Sequence, residues 1–257
     1  MGFLFFGKHN GSQGTIPGAD IFYGFTDWHS HILPGVDDGV QTMEDSLAVL
    51  EQYEQWGVKA VWLTPHIMED CPNSTADLRA RFEELKAAYA ASRQQRAAAM
   101  EAAGNATGGV ASDAPLEAIT LNLAAENMLD GLFEERLAAD DLLPITAKGD
   151  HLLVETSYYN PPMNLYGILE EIFQKGYQPI LAHPERYVYM GMHDYERLKQ
   201  MGVKFQMNLF SQADRYGREV RKKVNALLDR HYYSYAGSDL HRLSVLAEVP
   251  DMKFRNI

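Results

Sequence analysis

The chain has 257 residues, with 35 acidic side chains against 23 basic ones and a formal charge of −12, a balance that argues against nucleic acid or any other polyanion as partner. With 46% hydrophobic and 11% aromatic residues, it has the material for one sizeable core, which excludes a disordered chain. A single cysteine, Cys71, excludes an internal disulfide and suits a reducing compartment, the cytoplasm by default.

No window approaches the roughly 18 uninterrupted apolar residues that a membrane-spanning helix needs, so a protein without a transmembrane segment is expected. The start, Phe3-Leu4-Phe5-Phe6, is apolar but too short for a signal core, and it lacks a basic leader. Residues 1–20 therefore read as a loose, glycine-bearing arm before a single domain, 21–257. A disordered tail or a docking segment describes that arm better than a membrane contact.

Seven short β-rich runs follow, at 22–31, 60–66, 119–127, 151–158, 178–183, 204–210 and 232–241. Near-continuous apolar stretches such as Ala60-Val61-Trp62-Leu63 and Pro179-Ile180-Leu181-Ala182 fit strands covered on both faces. Helical patterns separate them. Thr42 with Asp45 three residues later opens one, and Gly57 closes it. Others are expected over 76–103, 165–175, 195–201 and 217–230, while 104–115 reads as a glycine-bearing loop insertion. Alternating strands and helices predict βα units around a parallel sheet. Seven units suggest a closed or nearly closed barrel of TIM-like kind, whose function collects at the C-terminal strand ends.

Those ends carry chemistry in every case. The first run ends in Asp27-Trp28-His29-Ser30-His31, the next five in His66, Glu126, Glu155, His183 and Asn208, and the last in Asp239-Leu240-His241. His29 and His31 stand two apart, so on a strand both imidazoles face one side, and Asp239 with His241 repeats that spacing. A lone His-x-His is more often an incidental surface or hydrogen-bonded pair. Five imidazoles and three carboxylates at strand ends are hard to explain as packing, because such groups are expensive to bury unpaired. Asp38, in the loop Pro34-Gly35-Val36-Asp37-Asp38-Gly39, is a ninth candidate ligand, although an aspartate beside glycine is common in turns. Mixed imidazole and carboxylate ligands suit Mn²⁺, Fe²⁺, Co²⁺ or Zn²⁺, and nine are too many for one ion. Two or three metals sharing bridging groups are expected, an arrangement suited to phosphoester hydrolysis. Arg186, three residues beyond His183, could hold a phosphate oxygen; an ion pair with Glu185 or another neighbouring acid reads equally well from the local sequence. His9, His151, His193 and His231 fall away from this rim. Cysteine-phosphatase, nucleophile-elbow, Walker and dinucleotide motifs are all missing.

The ordered set Asp27-x-His29-x-His31, Val36-Asp37-Asp38-Gly39, Thr64-Pro65-His66, Ala125-Glu126, Val154-Glu155, Ala182-His183-Pro184-Glu185-Arg186-Tyr187 and Ser238-Asp239-x-His241 resembles the polymerase and histidinol phosphatase (PHP) superfamily. Within it, the set is similar to the bacterial manganese-dependent protein-tyrosine phosphatases of capsular and extracellular polysaccharide operons. The resemblance implies a distorted (β/α)₇ barrel of PHP fold and a trinuclear centre, with manganese the foremost metal. It implies His29, His31, Asp38, His66, Glu126, Glu155, His183, Asp239 and His241 as ligands and Arg186 as the phosphate-binding, catalytic arginine. Relatives carry a second arginine in a Gly-Arg-Pro-Pro segment after the last Asp-x-His; here Arg242-Leu243-Ser244 follows, and Arg242 is the candidate to stand in on the substrate side.

The expected reaction is direct attack of a metal-bound hydroxide on phosphotyrosine, with a tyrosine kinase of polysaccharide export as phosphoprotein partner. Tyr158, Tyr159, Tyr187 and Tyr189 could stack on the substrate ring or simply pack around the barrel mouth. A small phosphomonoester such as histidinol phosphate is the alternative substrate. Amide hydrolysis is a further reading, since amidohydrolase barrels also open with His-x-His, but these commonly offer a bridging lysine where Glu155 stands. A metal-stabilised binding module would hold ions without turnover.

Overall fold

The computed structural model describes residues 15–107 and 116–255. β1 (Thr15–Pro17) leads through a 3-10 turn (Gly18–Phe22) to β2 (Thr26–Ser30), and α1 (Met43–Trp56) follows. Thr42 caps α1 by accepting the Asp45 amide at 3.1 Å, and Gly57 ends it in the left-handed region at φ 77°, as the spacing predicted. β3 (Ala60–Leu63) and β4 (His66–Ile67) are one strand interrupted at Thr64-Pro65, and β5 (Thr120–Leu123) and β6 (Glu126–Met128) are interrupted at Ala124-Ala125. Between them runs α2 (Thr75–Thr107), which carries its helix through 104–107 where the sequence suggested a loop. The alanine-rich turn before it makes propagation past Gly104 cheap.

The remaining units are α3 (Gly131–Ala139), β7 (His151–Glu155), α4 (Leu165–Gln174), β8 (Gln178–Ala182), α5 (Met192–Gln200), β9 (Lys204–Asn208), α6 (Arg218–Asp229), β10 (Tyr233–Gly237) and β11 (Lys253–Arg255). Helix α3 was not expected. Asp130 caps it by accepting the Phe133 amide at 3.0 Å, but nine residues give too short an apolar period to stand out. The expected arm lies outside the described residues as far as position 14; from Thr15 the chain pairs antiparallel with Lys253–Arg255.

All other strands run parallel, in a three-stranded sheet β2-β3-β5 and a six-stranded sheet β10-β9-β8-β7-β6-β4. The broken strands pass from one sheet to the other, and pairing persists across the break: Ala124 N donates to Leu63 O at 2.9 Å and Glu126 N to Pro65 O at 3.1 Å. The sheets are not closed into a ring. β2 meets the segment just after β10 through one isolated parallel bridge, Ser30 with Leu240, where Asp239 N donates to His29 O at 2.7 Å and His31 N to Leu240 O at 3.0 Å. The fold is thus a mixed α/β architecture with parallel sheets.

The helices cover the outer faces. Leu165, Ile168, Leu169 and Ile172 of α4 are buried at helical spacing, each worth about 1.5–3 kcal/mol, so this helix, whose Asn164 gives no capping bond, is held by its face. Glu54 of α1 is buried and accepts Arg93 Nη1 at 2.5 Å and Arg96 Nη2 at 2.6 Å from α2, with Tyr89 Oη as a third donor; removal of those partners would strand a buried charge. Between the two sheets lies a small cluster of Trp62, Ala124, Ile145, Leu153, Ile180 and Ala182, with Trp28 and Tyr235 packed on it. The polar strand ends gather beyond this plug.

Candidate metal centre

The pairing of β2 with β3 shifts register between Asp27 and Ser30, a bulge of the kind that re-aims side chains near sites. Beyond it His29 and His31 bring their Nε2 atoms to 3.0 Å. Each ring is held from behind: His29 Nδ1 donates to Gln206 Oε1 at 2.9 Å, and His31 Nδ1 to Asp37 Oδ2 at 2.8 Å. Both Nε2 atoms therefore face the same carboxylates, Glu126 Oε2 at 3.0 and 3.2 Å and Asp239 Oδ1 at 3.5 and 3.4 Å.

The two adjacent aspartates divide the work. Asp37 also accepts the Gly39 amide at 2.9 Å and the His66 amide at 3.0 Å, so it positions two imidazoles from outside. Asp38 faces the cluster, with Oδ1 3.5 Å from His66 Nε2 and 3.4 Å from His241 Nε2. His66 Nδ1 lies 3.2 Å from Glu126 Oε2 and 3.0 Å from Glu155 Oε1. His183 Nε2 lies 2.9 Å from Glu126 Oε1 and 3.8 Å from Glu155 Oε2. All nine expected residues thus converge.

Three overlapping groups within the cluster could each hold a cation: His29, His31, Glu126 and Asp239; His66, Glu126 and Glu155; His31, Asp38, His66 and His241. His183 borders the first two through Glu126 and Glu155. Two residues of the cluster also sit in strained backbone. His183 at φ 31° and Asp239 at φ 52° are two of the few non-glycine residues with positive φ, a cost that persists only where the surroundings enforce it. Gly237 lets β10 press against β2, since a Cβ there would lie 2.4 Å from that of His29, and Gly39 does the same against His31, whose carbonyl oxygen would be 2.1 Å away.

The residues fit metal ions. His66 Nδ1, Glu126 Oε2 and Glu155 Oε1 are buried without a hydrogen-bond partner, which is costly unless a cation engages them. The donor set of imidazole nitrogens and carboxylate oxygens suits Mn²⁺, Fe²⁺, Co²⁺ or Zn²⁺. Without ions, protons provide the counter-charge. Burial is the largest single influence on His29 and His66 and would lower both, but the carboxylates together outweigh it, Glu126 and Asp239 at His29 and Glu126, Glu155 and Asp37 at His66, and carry them up to about 9 and about 10. Burial raises Glu126, yet the imidazoles around it, His29 foremost, hold it well below the usual carboxylate range.

Raised histidines contribute stability that is complete below their ordinary value of 6.5 and is lost as pH climbs through about 9 to 10. The depressed Glu126 works oppositely, contributing above its ordinary 4.5 and losing that contribution in acid. Chelator-treated protein should therefore lose melting temperature between about pH 6.5 and pH 10, while divalent metal, which competes with those protons, binds better as pH rises. Thermal melts at pH 6 and pH 9 with and without Mn²⁺ check this. The gap between loaded and stripped protein should widen at pH 9.

The centre floors a cleft of about 590 Å³ lined also by Tyr158, Tyr159, Arg186, Arg215, Tyr216 and Arg242. Arg186 does not pair with Glu185. That carboxylate is buried and accepts Asn208 N at 3.0 Å and Tyr233 Oη at 2.9 Å, whereas Arg186 Nη1 donates to Asp239 Oδ2 at 2.7 Å. The Arg186 guanidinium lies 4.4 Å from the centroid of Tyr158 and 4.3 Å from that of Tyr216, both within cation-π range. Of the four tyrosines flagged in the sequence, Tyr158 and Tyr159 line the cleft. Tyr187 is buried beside His183, its Oη accepting the Thr156 amide at 3.2 Å, and Tyr189 Oη hydrogen-bonds Thr156 Oγ1 at 2.5 Å. Gln206, Asp37 and Tyr216 went unpredicted. Arg242 is exposed on the cleft wall. His151 pairs with Asp150 at 2.7 Å away from the cluster, and His9 lies outside the described residues.

A family model described as capsular polysaccharide synthesis, CpsB/CapC, matches residues 25–100 and 91–254. The chain belongs to the CpsB/CapC family. Among curated relatives, it is 24% identical over 220 residues to the tyrosine-protein phosphatase YwqE of Bacillus subtilis, covering 84% of this chain and 77% of that protein. It is 27% identical over 227 residues to the tyrosine-protein phosphatase CpsB of Streptococcus pneumoniae, covering 84% and 83%. A solved structure from work on YwqE and S. pneumoniae CpsB, described as unique metal-dependent tyrosine phosphatases, superposes with a TM-score of 0.70 at 22% identity, covering 86% of this chain and 81% of that one. The CpsB/CapC match spans every residue of the cluster. No helix among the described residues is long and apolar enough to cross a membrane.

Proposed function

We propose that this chain is a metal-dependent protein-tyrosine phosphatase. The observation that carries the reading is the cluster itself, three overlapping cation-binding groups at the floor of a cleft, with the Arg186 guanidinium directly beside it. His29, His31, Asp38, His66, Glu126, Glu155, His183, Asp239 and His241 are the ligands in this reading, holding two or three divalent ions, manganese foremost. When bound, such ions polarise a phosphoryl oxygen and lower the pKa of water enough to give a nucleophile at neutral pH.

The protein's own groups supply the rest. Arg186, stacked between Tyr158 and Tyr216, keeps donors of its fork beyond the one given to Asp239 and offers them to the phosphoryl oxygens, whose charge is spread over the transition state. Tyr158 and Tyr159 flank the path of a substrate ring. The leaving phenolate has a pKa near 10, so little acid assistance is required of the protein. The barrel reading, a distorted (β/α)₇ ring forming one domain over 21–257, draws support from the bridge between Ser30 and Leu240, which brings the first and last strands of the rim side by side. The family's link to capsular polysaccharide synthesis favours a phosphotyrosine protein of that machinery, a tyrosine kinase in the cytoplasm, as the substrate.

The test is hydrolysis of a phosphotyrosine peptide, a phosphoserine peptide and histidinol phosphate by purified protein, with Mn²⁺ and with EDTA. Preference for phosphotyrosine that disappears in EDTA is expected. Preference for histidinol phosphate would move the protein to small-molecule metabolism, and silence on all three despite bound metal would overturn the phosphatase reading.

A further inference from the structure

We infer that Arg215 and Arg242 form a cationic rim that selects phosphotyrosine peptides with an acidic residue next to the phosphotyrosine. The inference deepens the phosphatase reading and rests on it. Both arginines line the cleft above the metal centre, Arg215 from the segment between β9 and α6 and Arg242 from the segment after β10. The phosphoryl group already has its own cation, because Arg186 is stacked between two tyrosines and bonded to Asp239 beside the cluster. The other two charges are available to the rest of the substrate.

The pairing of Arg215 indicates what it takes. Its Nη1 donates to Glu248 Oε2 at 2.6 Å, so the guanidinium is set up to receive a carboxylate, and its remaining donors are open to a second. Glu248 is 57% exposed, and an ion pair in water is weak, so a peptide carboxylate can share or displace it. Arg242 is exposed and forms no ion pair among the described residues. The bearing segment is fixed. Asn208 Nδ2 donates to Tyr216 Oη at 3.2 Å and to Asp239 Oδ2 at 2.8 Å, and Asp214 pairs with Arg221. The chain on either side of Arg215 is thereby anchored beside the cleft. In a chain of charge −12, an acidic peptide meets general repulsion, and two arginines at the mouth offer it local attraction where it enters.

The experiment compares kcat/KM, with Mn²⁺, for two phosphotyrosine peptides that differ only by glutamates or alanines flanking the phosphotyrosine, together with p-nitrophenyl phosphate. The protein should favour the acidic peptide by about tenfold, mainly through KM, and added salt should shrink that ratio. Arg215→Gln should cut the ratio to about threefold, and the double change with Arg242→Gln should bring it to about one. Glu248→Gln, which removes the competing carboxylate, should raise it. A ratio that starts near one, or an Arg215→Gln variant that loses equally on both peptides and on p-nitrophenyl phosphate, overturns the inference; the latter would make Arg215 a phosphate ligand. Failure to hydrolyse any of the three esters would bring down the phosphatase reading and this inference together, whereas brisk hydrolysis with an unmoved ratio brings down the inference alone.

Discussion

Replacing Glu126 by glutamine is expected to strip the protein of most of its divalent metal and to reduce phosphotyrosine turnover by about a thousandfold. Glu126 is the carboxylate that two of the three cation-binding groups share. Its Oε2 lies within 3.2 Å of nitrogens of His29, His31 and His66, and its Oε1 lies 2.9 Å from His183 Nε2. Glutamine keeps the volume, so no cavity opens and the cost of lost packing is small. What changes is charge and donor sense, because an amide nitrogen placed among imidazole nitrogens offers a proton where a lone pair is needed. The fold should survive, and the stripped variant should no longer gain melting temperature when Mn²⁺ is added, a readout independent of activity. Metal analysis after dialysis, thermal melts and peptide turnover check the prediction. Full metal content with normal turnover would show that the cluster is not the functional centre.

The chemistry of this site was legible in the sequence because it depends on residue type at strand ends. His29, His31, His66, Glu126, Glu155, His183, Asp239 and His241 each close a run that reads as a strand, and parallel strands deliver their C-terminal ends to one rim whatever the details of closure. The loop residue Asp38 joined them by position beside the first strand. The groups that orient the ligands were not legible, since their contacts span most of the chain. Gln206 meets His29 across 177 residues. Asp27 accepts the Ser238 amide at 2.7 Å and the Ser238 hydroxyl at 2.6 Å across 211 residues, tying the two ends of the rim together. No local periodicity encodes such pairs. The division between Asp37 and Asp38 was hidden for another reason: two like residues in one turn differ only in the direction each side chain takes.

The fold shows the same split between what is local and what is not. Strand runs, the Thr42 cap and the Gly57 stop are local signals and appear where they were expected. The interruptions at Thr64-Pro65 and Ala124-Ala125 are not, although Pro65, lacking an amide proton, is a residue that a central strand rarely accepts. They divide what reads as one set of seven strands into two sheets. The meeting of β2 with the end of β10 rests on contacts between distant segments, Ser30 with Leu240 and Asp27 with Ser238, and counting strands in the sequence does not supply it. The long α2 differs from the sequence expectation in the opposite sense, because Gly104 does not stop a helix next to an alanine-rich turn.

Arg186→Lys should lower kcat/KM for a phosphotyrosine peptide by about a hundredfold and Arg186→Ala by up to about a thousandfold, with metal content kept in both. Lysine retains the charge but loses the planar fork and the stacking between Tyr158 and Tyr216, so the difference between the two variants separates geometry from charge. Metal should remain because Asp239 does not depend on Arg186 alone. Asn208 Nδ2 also donates to Asp239 Oδ2 at 2.8 Å, and the oxygen facing His29 and His31 is Oδ1. If Arg186 engages the phosphoryl group only as charge develops, the loss falls on kcat; if it holds the ground state equally, KM rises and kcat is spared. Steady-state kinetics with metal analysis on the same preparations distinguishes these. An Arg186→Lys variant as active as the parent would remove the arginine from the reaction, and one that has lost its metal would recast it as a support for Asp239.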